Sequence, residues 1–129
     1  MKKRNNGFSL VEVLVVVAII AAIATILVPN IIRNRVLAND AVTQKTLKTI
    51  AIAMETYLGI NHAYPTDSDV LLGEAPPYLN KDYFIGTHNG FTYAANFTSA
   101  SYDITATPVS SNLGTASFTI STGGVLVKN

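Results

Sequence analysis

The chain has 129 residues, with nine Lys and Arg against eight Asp and Glu, which leaves room for one folded domain and little material for an elaborate active site. Hydrophobic residues make up 49% and charged residues 13%, a balance that excludes an intrinsically disordered chain and points to a strongly apolar segment. Cysteine is absent, so disulfide, thiolate-metal and thiol-nucleophile chemistry are removed, and a formal net charge of +1 argues against a strongly basic nucleic-acid binder.

The first element is a short basic stretch, Lys2, Lys3 and Arg4, followed by Asn5, Asn6 and Gly7. Directly after it, Phe8 to Val28 is a run of 21 residues with one charge, Glu12. As a helix this run reaches about 30 Å, the thickness of a bilayer's hydrocarbon core. A core helix would need cover on every face, which roughly 100 remaining residues cannot supply while also folding themselves. The run is therefore predicted to span a membrane, and the basic residues ahead of it predict an N-in, C-out orientation. Because the run passes straight into more helix, any cleavage is expected before it.

Pro29 and Asn30 close the apolar run, and a proline there removes a helix hydrogen bond, so a kink or local melting is expected at that point. Beyond it, Leu37, Ala41, Leu47, Ile50, Met54 and Leu58 recur at helical spacing, with Arg35, Lys45, Lys48 and Glu55 between them, the pattern of an amphipathic continuation. Gly59 is the predicted helix stop and Pro65 lies past it. A helix from Phe8 to Gly59 has 52 residues and would be roughly 78 Å long.

Asp67 and Asp69 invite a metal or acid-base reading, but their place before Val70, Leu71 and Leu72 suits the N-terminal cap of a short helix better. Residues 73–90, with Gly73, Pro76, Pro77, Gly86 and Gly90, read as a connection. From Phe91 the period changes to two. Phe91–Ala95, Tyr102–Thr107, the stretch around Phe118 and Ile120, and Val125–Val127 read as four strands, the last two joined at Gly123-Gly124. The predicted class is α+β: a long N-terminal helix, with a membrane half and an amphipathic half, packed on a small antiparallel sheet. The divisions are a leader at 1–7, an apolar helix at 8–28, its continuation at 29–61, a connection at 62–90 and a sheet at 91–129.

The run Lys2-Lys3-Arg4-Asn5-Asn6-Gly7-Phe8-Ser9-Leu10-Val11-Glu12 closely resembles the class III leader of type IV pilins and type II secretion pseudopilins. That resemblance implies a prepilin peptidase that cuts between Gly7 and Phe8 and methylates the new amino group of Phe8. His62-Ala63-Tyr64-Pro65-Thr66 is similar to the Gly-x-Tyr-Pro-Thr segment after the long helix in many members, without its usual Asn-Gly. Pro29 resembles the proline at which the helix loosens on packing into a filament. The resemblance further implies a homopolymer built by an inner-membrane assembly platform, located in the membrane before assembly and on the cell surface afterwards.

Glu12 is the residue that needs a reason, since a carboxylate within an apolar segment is costly near a bilayer's centre. One reading places it at headgroup level. The other pairs it with the positive amino terminus of a neighbouring subunit's Phe8, which removes two charges together from a dry filament core and sets the stagger between subunits. Either way Gly7, Phe8, Glu12 and Pro29 are the candidate processing and assembly residues.

No phosphate loop, metal-binding histidine spacing or nucleophile elbow occurs, and His62 and His88 stand far apart in the sequence. No catalytic residue, cofactor or metal is expected. Without the leader the side chains sum to 6 − 8 = −2, and residues 62–129 sum to 2 − 5 = −3, so a DNA-binding stripe is not expected. Three functions remain: a pilus subunit, a secretion pseudopilin, and a tethered binding domain that never polymerises. Major pseudopilins of this resemblance carry a calcium site among acidic residues late in the sheet, and such a cation needs several oxygen ligands. After Tyr83 this chain has only Asp103, which favours the pilus subunit.

Overall fold

The computed structural model describes residues 7–129; the leader cations Lys2, Lys3 and Arg4 lie outside them. Helix α1 (Leu10–Asn61) is followed by a short helix α2 (Ser68–Gly73) and four strands, β1 (Phe91–Phe97), β2 (Tyr102–Pro108), β3 (Phe118–Ser121) and β4 (Val125–Lys128). The chain divides into two compact units, one ending at Asn34 and the other comprising Arg35–Asn129. α1 contributes its first part to the former and the remainder to the latter.

In the first unit α1 is long and apolar enough to cross a membrane. Its large hydrophobic side chains are open on all sides, from Leu10 and Val11 to Ile31 and Ile32. α1 runs through Pro29 as helix. A proline withholds one amide, so a single i→i−4 bond is lost and the ladder resumes on either side. Nearby polar side chains turn back on the backbone, the Thr25 hydroxyl donating to the Ala22 carbonyl at 2.7 Å and Asn30 Nδ2 to the Ile26 carbonyl at 3.1 Å.

The second unit is α+β, as the sequence predicts. Strand pairing is antiparallel throughout in the order β1-β2-β3-β4. Alternation puts Phe91 and Tyr93, Tyr102, Ile104 and Ala106, and Phe118 and Ile120 on one face, where they form a single core with Leu47, Ile50, Ala51, Ala53 and Met54 of α1. α2 begins as expected, with the Asp67 side chain accepting from the Asp69 amide at 3.2 Å. Its buried Leu71 closes the core beside Leu79.

Two expectations about α1 are corrected. Gly59 does not end the helix, which continues to Asn61 and stops where His62 turns left-handed with φ 59°. The His62 amide still donates to the Leu58 carbonyl at 2.8 Å, so the terminal residue is a histidine in a conformation usually taken by glycine. Leu37 and Ala41 were expected on the packed face, yet both are exposed, while Asp40, Thr43 and Thr46 are buried. The wall opposite this stretch is the β2–β3 loop, whose backbone needs polar partners. Asn39 Nδ2 donates to the Leu113 carbonyl at 2.9 Å, and the Asp40 carboxylate accepts from the Thr115 amide at 3.1 Å and from its hydroxyl.

Candidate processing and assembly site

Gly7, Phe8 and Ser9 precede the first helical residue, and the Gly7–Phe8 bond lies in exposed chain without regular structure. Nothing stands within 4 Å of the position a Cβ would take at Gly7, and Phe8 is 80% exposed. The Ser9 carbonyl accepts from the amides of Glu12 at 3.1 Å and Val13 at 3.3 Å, so Ser9 opens the helix and Glu12 occupies its first turn. Uncompensated backbone amides make that end of a helix partially positive. The carboxylate thus stands where a helix tolerates negative charge best, close along the chain to the Phe8 amino group that a cut after Gly7 would create. Serine followed three residues later by glutamate is also the sequence pattern of a helix start, a signal that the sequence reading did not use.

Pro29 lies within the exposed apolar part of α1 and is not brought together with Gly7, Phe8 or Glu12. Glu12 and Pro29 belong to one helix, separated by four to five turns.

A second carboxylate emerges that the sequence pattern hides. Glu55, placed between the apolar positions of α1, accepts from the Tyr64 hydroxyl at 3.0 Å, the Tyr102 hydroxyl at 3.1 Å and the Gly123 amide at 2.9 Å. The Gly124 amide in turn donates to the Tyr102 oxygen at 3.2 Å. One side chain thereby ties α1 to the post-helix segment, to β2 and to the β3–β4 turn, whose two glycines have φ of 79° and 74°. The rings of Tyr64 and Tyr102 meet edge to face at 5.1 Å. Burial, then the bond to Glu55 and its charge, hold both phenols above their ordinary value of 10.0.

A stability prediction follows with a definite sign. A phenol whose folded pKa is raised contributes nothing pH-dependent below its unfolded value, and the fold loses stability as pH climbs past about 10, because the unfolded chain ionises first. Glu55→Gln is expected to cost about 1–3 kcal/mol near neutral pH, as charged acceptors are lost. It should also flatten the decline above pH 10, since the negative charge that opposes tyrosinate formation is gone. Thermal melts of the detergent-solubilised subunit at pH 7 and above pH 10 measure both effects. An unchanged alkaline slope would mean that the phenols are not coupled to Glu55.

Among the described residues no group of three or more His, Cys, Asp or Glu could hold a metal ion. Comparison with known proteins matches residues 2–28 to the prokaryotic N-terminal methylation motif. The chain is 36% identical over 70 residues to the type IV wide pilus major component PilA4 of Thermus thermophilus, covering 54% of this chain and 53% of that protein. It is 35% identical over 84 residues to the type II secretion system core protein G of Escherichia coli, covering 62% and 58%. The type IV major pilin protein PilA of Myxococcus xanthus is 32% identical over 78 residues, covering 60% and 35%. The chain thus spans about half the length of the first two relatives. The chain thus carries a prokaryotic N-terminal methylation motif and is similar, over about half to two thirds of its own length, to type IV pilins and to type II secretion core protein G.

Proposed function

We propose that this chain is the structural subunit of a type IV pilus. The observation that carries the reading is the fully exposed apolar first part of α1, attached to a folded unit with its own core. Such a surface has to be covered by lipid or by other helices, and the second option yields a polymer. In this reading residues 1–7 are a leader removed between Gly7 and Phe8, and residues 8–28 are the membrane anchor and later the filament core. Residues 29–61 continue the helix, 62–90 connect it, and 91–129 form the sheet that faces water. The peptidase methylates the Phe8 amino group, and Glu12 pairs with that group on a neighbouring subunit. Pro29 is the point at which the helix loosens on packing.

The partners in this reading are further copies of the chain, the prepilin peptidase and an inner-membrane assembly platform. The subunit waits in the cytoplasmic membrane, N-in and C-out, before it joins a surface filament. No nucleic-acid partner and no catalytic activity belong to it. The similarity to core protein G supports a second reading, a pseudopilin of a type II secretion system. The chain's lone late carboxylate, Asp103, after Tyr83 favours the pilus. A tethered domain that stays monomeric is the third reading.

Intact-mass spectrometry of surface-sheared material, together with electron microscopy of the same sample, tests the proposal. The expected species begins at Phe8 with one added methyl group and comes from filaments. Subunits retaining Met1 to Gly7 within filaments would contradict the cleavage assignment, and purely monomeric material from membrane and surface would leave the tethered domain as the better reading.

A further inference from the structure

Charge along the first part of α1 is confined to two positions, Glu12 and Arg33, with residues 13–32 uncharged between them. Those 20 residues rise about 30 Å as a helix, equal to the hydrocarbon thickness of a typical bilayer. The polar residues within the interval do not interrupt it. Thr25 and Asn30 give side-chain hydrogen bonds to helix carbonyls, which lowers the cost of placing them in hydrocarbon. Ile31 and Ile32 extend the apolar surface past Pro29, at 62% and 54% exposure. The span therefore ends at Arg33, which is itself exposed.

A guanidinium at the end of a span has a flexible apolar stem and a planar fork of donors that matches phosphate oxygens two at a time. Placed at the outer surface, Arg33 meets the phosphates of the outer leaflet. The length match then puts Glu12 at the opposite surface, in contact with water and headgroups.

We propose that Arg33 is a depth anchor, which binds phospholipid phosphate in the outer leaflet and so holds Glu12 at the inner headgroup level until the subunit joins a filament. The proposal rests on the membrane-inserted, N-in state of the reading above and is independent of whether filaments form. It also makes the two readings of Glu12 successive: an interfacial carboxylate while the subunit is in lipid, and a buried one only after transfer to the polymer. Leaving the bilayer then requires release of the Arg33–phosphate contact, so anchoring and assembly oppose one another.

The absence of cysteine in the chain gives a clean background for the test. Full-length subunits bearing Val28→Cys or Leu37→Cys are reconstituted in phosphatidylglycerol vesicles, and reaction with a membrane-impermeant maleimide is timed from the side of the sheet. Position 37 should react and position 28 should stay protected, which also reports insertion. Arg33→Gln/Arg35→Gln, which removes the next charge along the chain as well, should slow labelling at position 37 several-fold as the helix slides inward. Arg33→Lys/Arg35→Lys should keep most of the reactivity. Wild type in bilayers of galactosyl diglyceride, which lacks phosphate, should behave like the glutamine variant. Equal labelling of position 37 in both lipids, or in wild type and the glutamine variant, would overturn the anchor. Neither result bears on polymerisation, which the filament experiment addresses separately.

Discussion

A cell producing only Glu12→Ala subunits is expected to insert them into its membrane normally and to make few or no filaments. Insertion survives because alanine makes the segment more apolar, and no described contact of the Glu12 side chain is needed to hold the first turn, which is closed by the Ser9 carbonyl. In the proposed filament, assembly would fail because the amino group of Phe8 would be buried without its partner, at a cost of about 3–5 kcal/mol for each broken charge pair. Repeated at every interface, that penalty exceeds a hundredfold loss in each association constant. Membrane fractionation and filament counts separate the two outcomes. Normal filament yield from such cells would sink the pairing, and Glu12→Gln should fall nearly as far, since it keeps the size of the side chain and loses the charge.

The second large effect concerns stability of the sheet unit. Gly114 is buried in the β2–β3 loop, and a Cβ there would run into Cζ of Phe91 and lie 2.8 Å from Cβ of Pro108. Phe91 is fully buried and packs against Phe118 with ring centroids 6.1 Å apart, so moving the ring aside disturbs the core. Gly114→Ala is expected to destabilise by about 2–3 kcal/mol, at the upper end for overpacking. For a domain of this size that lowers the melting temperature by about 10–20 °C. Gly59→Ala should do the opposite. Nothing lies within 4 Å of its added methyl, the position is inside α1, and alanine is favoured over glycine in a helix by about 1 kcal/mol. Thermal melts of the two variants should shift in opposite directions, and a destabilising Gly59→Ala would restore that residue as a helix terminator.

Much of this arrangement is readable from neighbours in sequence. Alternation marks β1 through Phe91 and Tyr93, though Ala95 is exposed, and β2 through Tyr102, Ile104 and Ala106, and the Asp67 cap is a contact with a residue two positions on. The run from Phe8 to Val28 declares itself because a single charge, Glu12, interrupts it. Glu55 and Asp40 are different. A lone carboxylate on a charged and apolar helix reads as solvated, and apart from Tyr64 their partners lie far along the chain, Tyr102 at 47 residues from Glu55 and Thr115 at 75 from Asp40. No local pattern encodes such pairs. The same applies to Leu37 and Ala41, whose exposure depends on which loop happens to lie opposite.

The strand order has a kinetic consequence. Each strand bonds to the one that follows it in the chain, with only residues 98–101, 109–117 and 122–124 to be looped out, so the sheet closes through short segments at low entropic cost. The contacts that secure α1 to the late loops, from Asn39, Asp40 and Glu55, bridge 68 to 75 residues and are the slow ones to meet. The chain can therefore zip its hairpins together first and clasp them to the helix last. The clasp joins hydrogen bonds at two places along α1 to the apolar packing of the helix on the sheet, so a subunit caught before it forms would still present Leu47, Ile50 and Met54 to quality-control proteases.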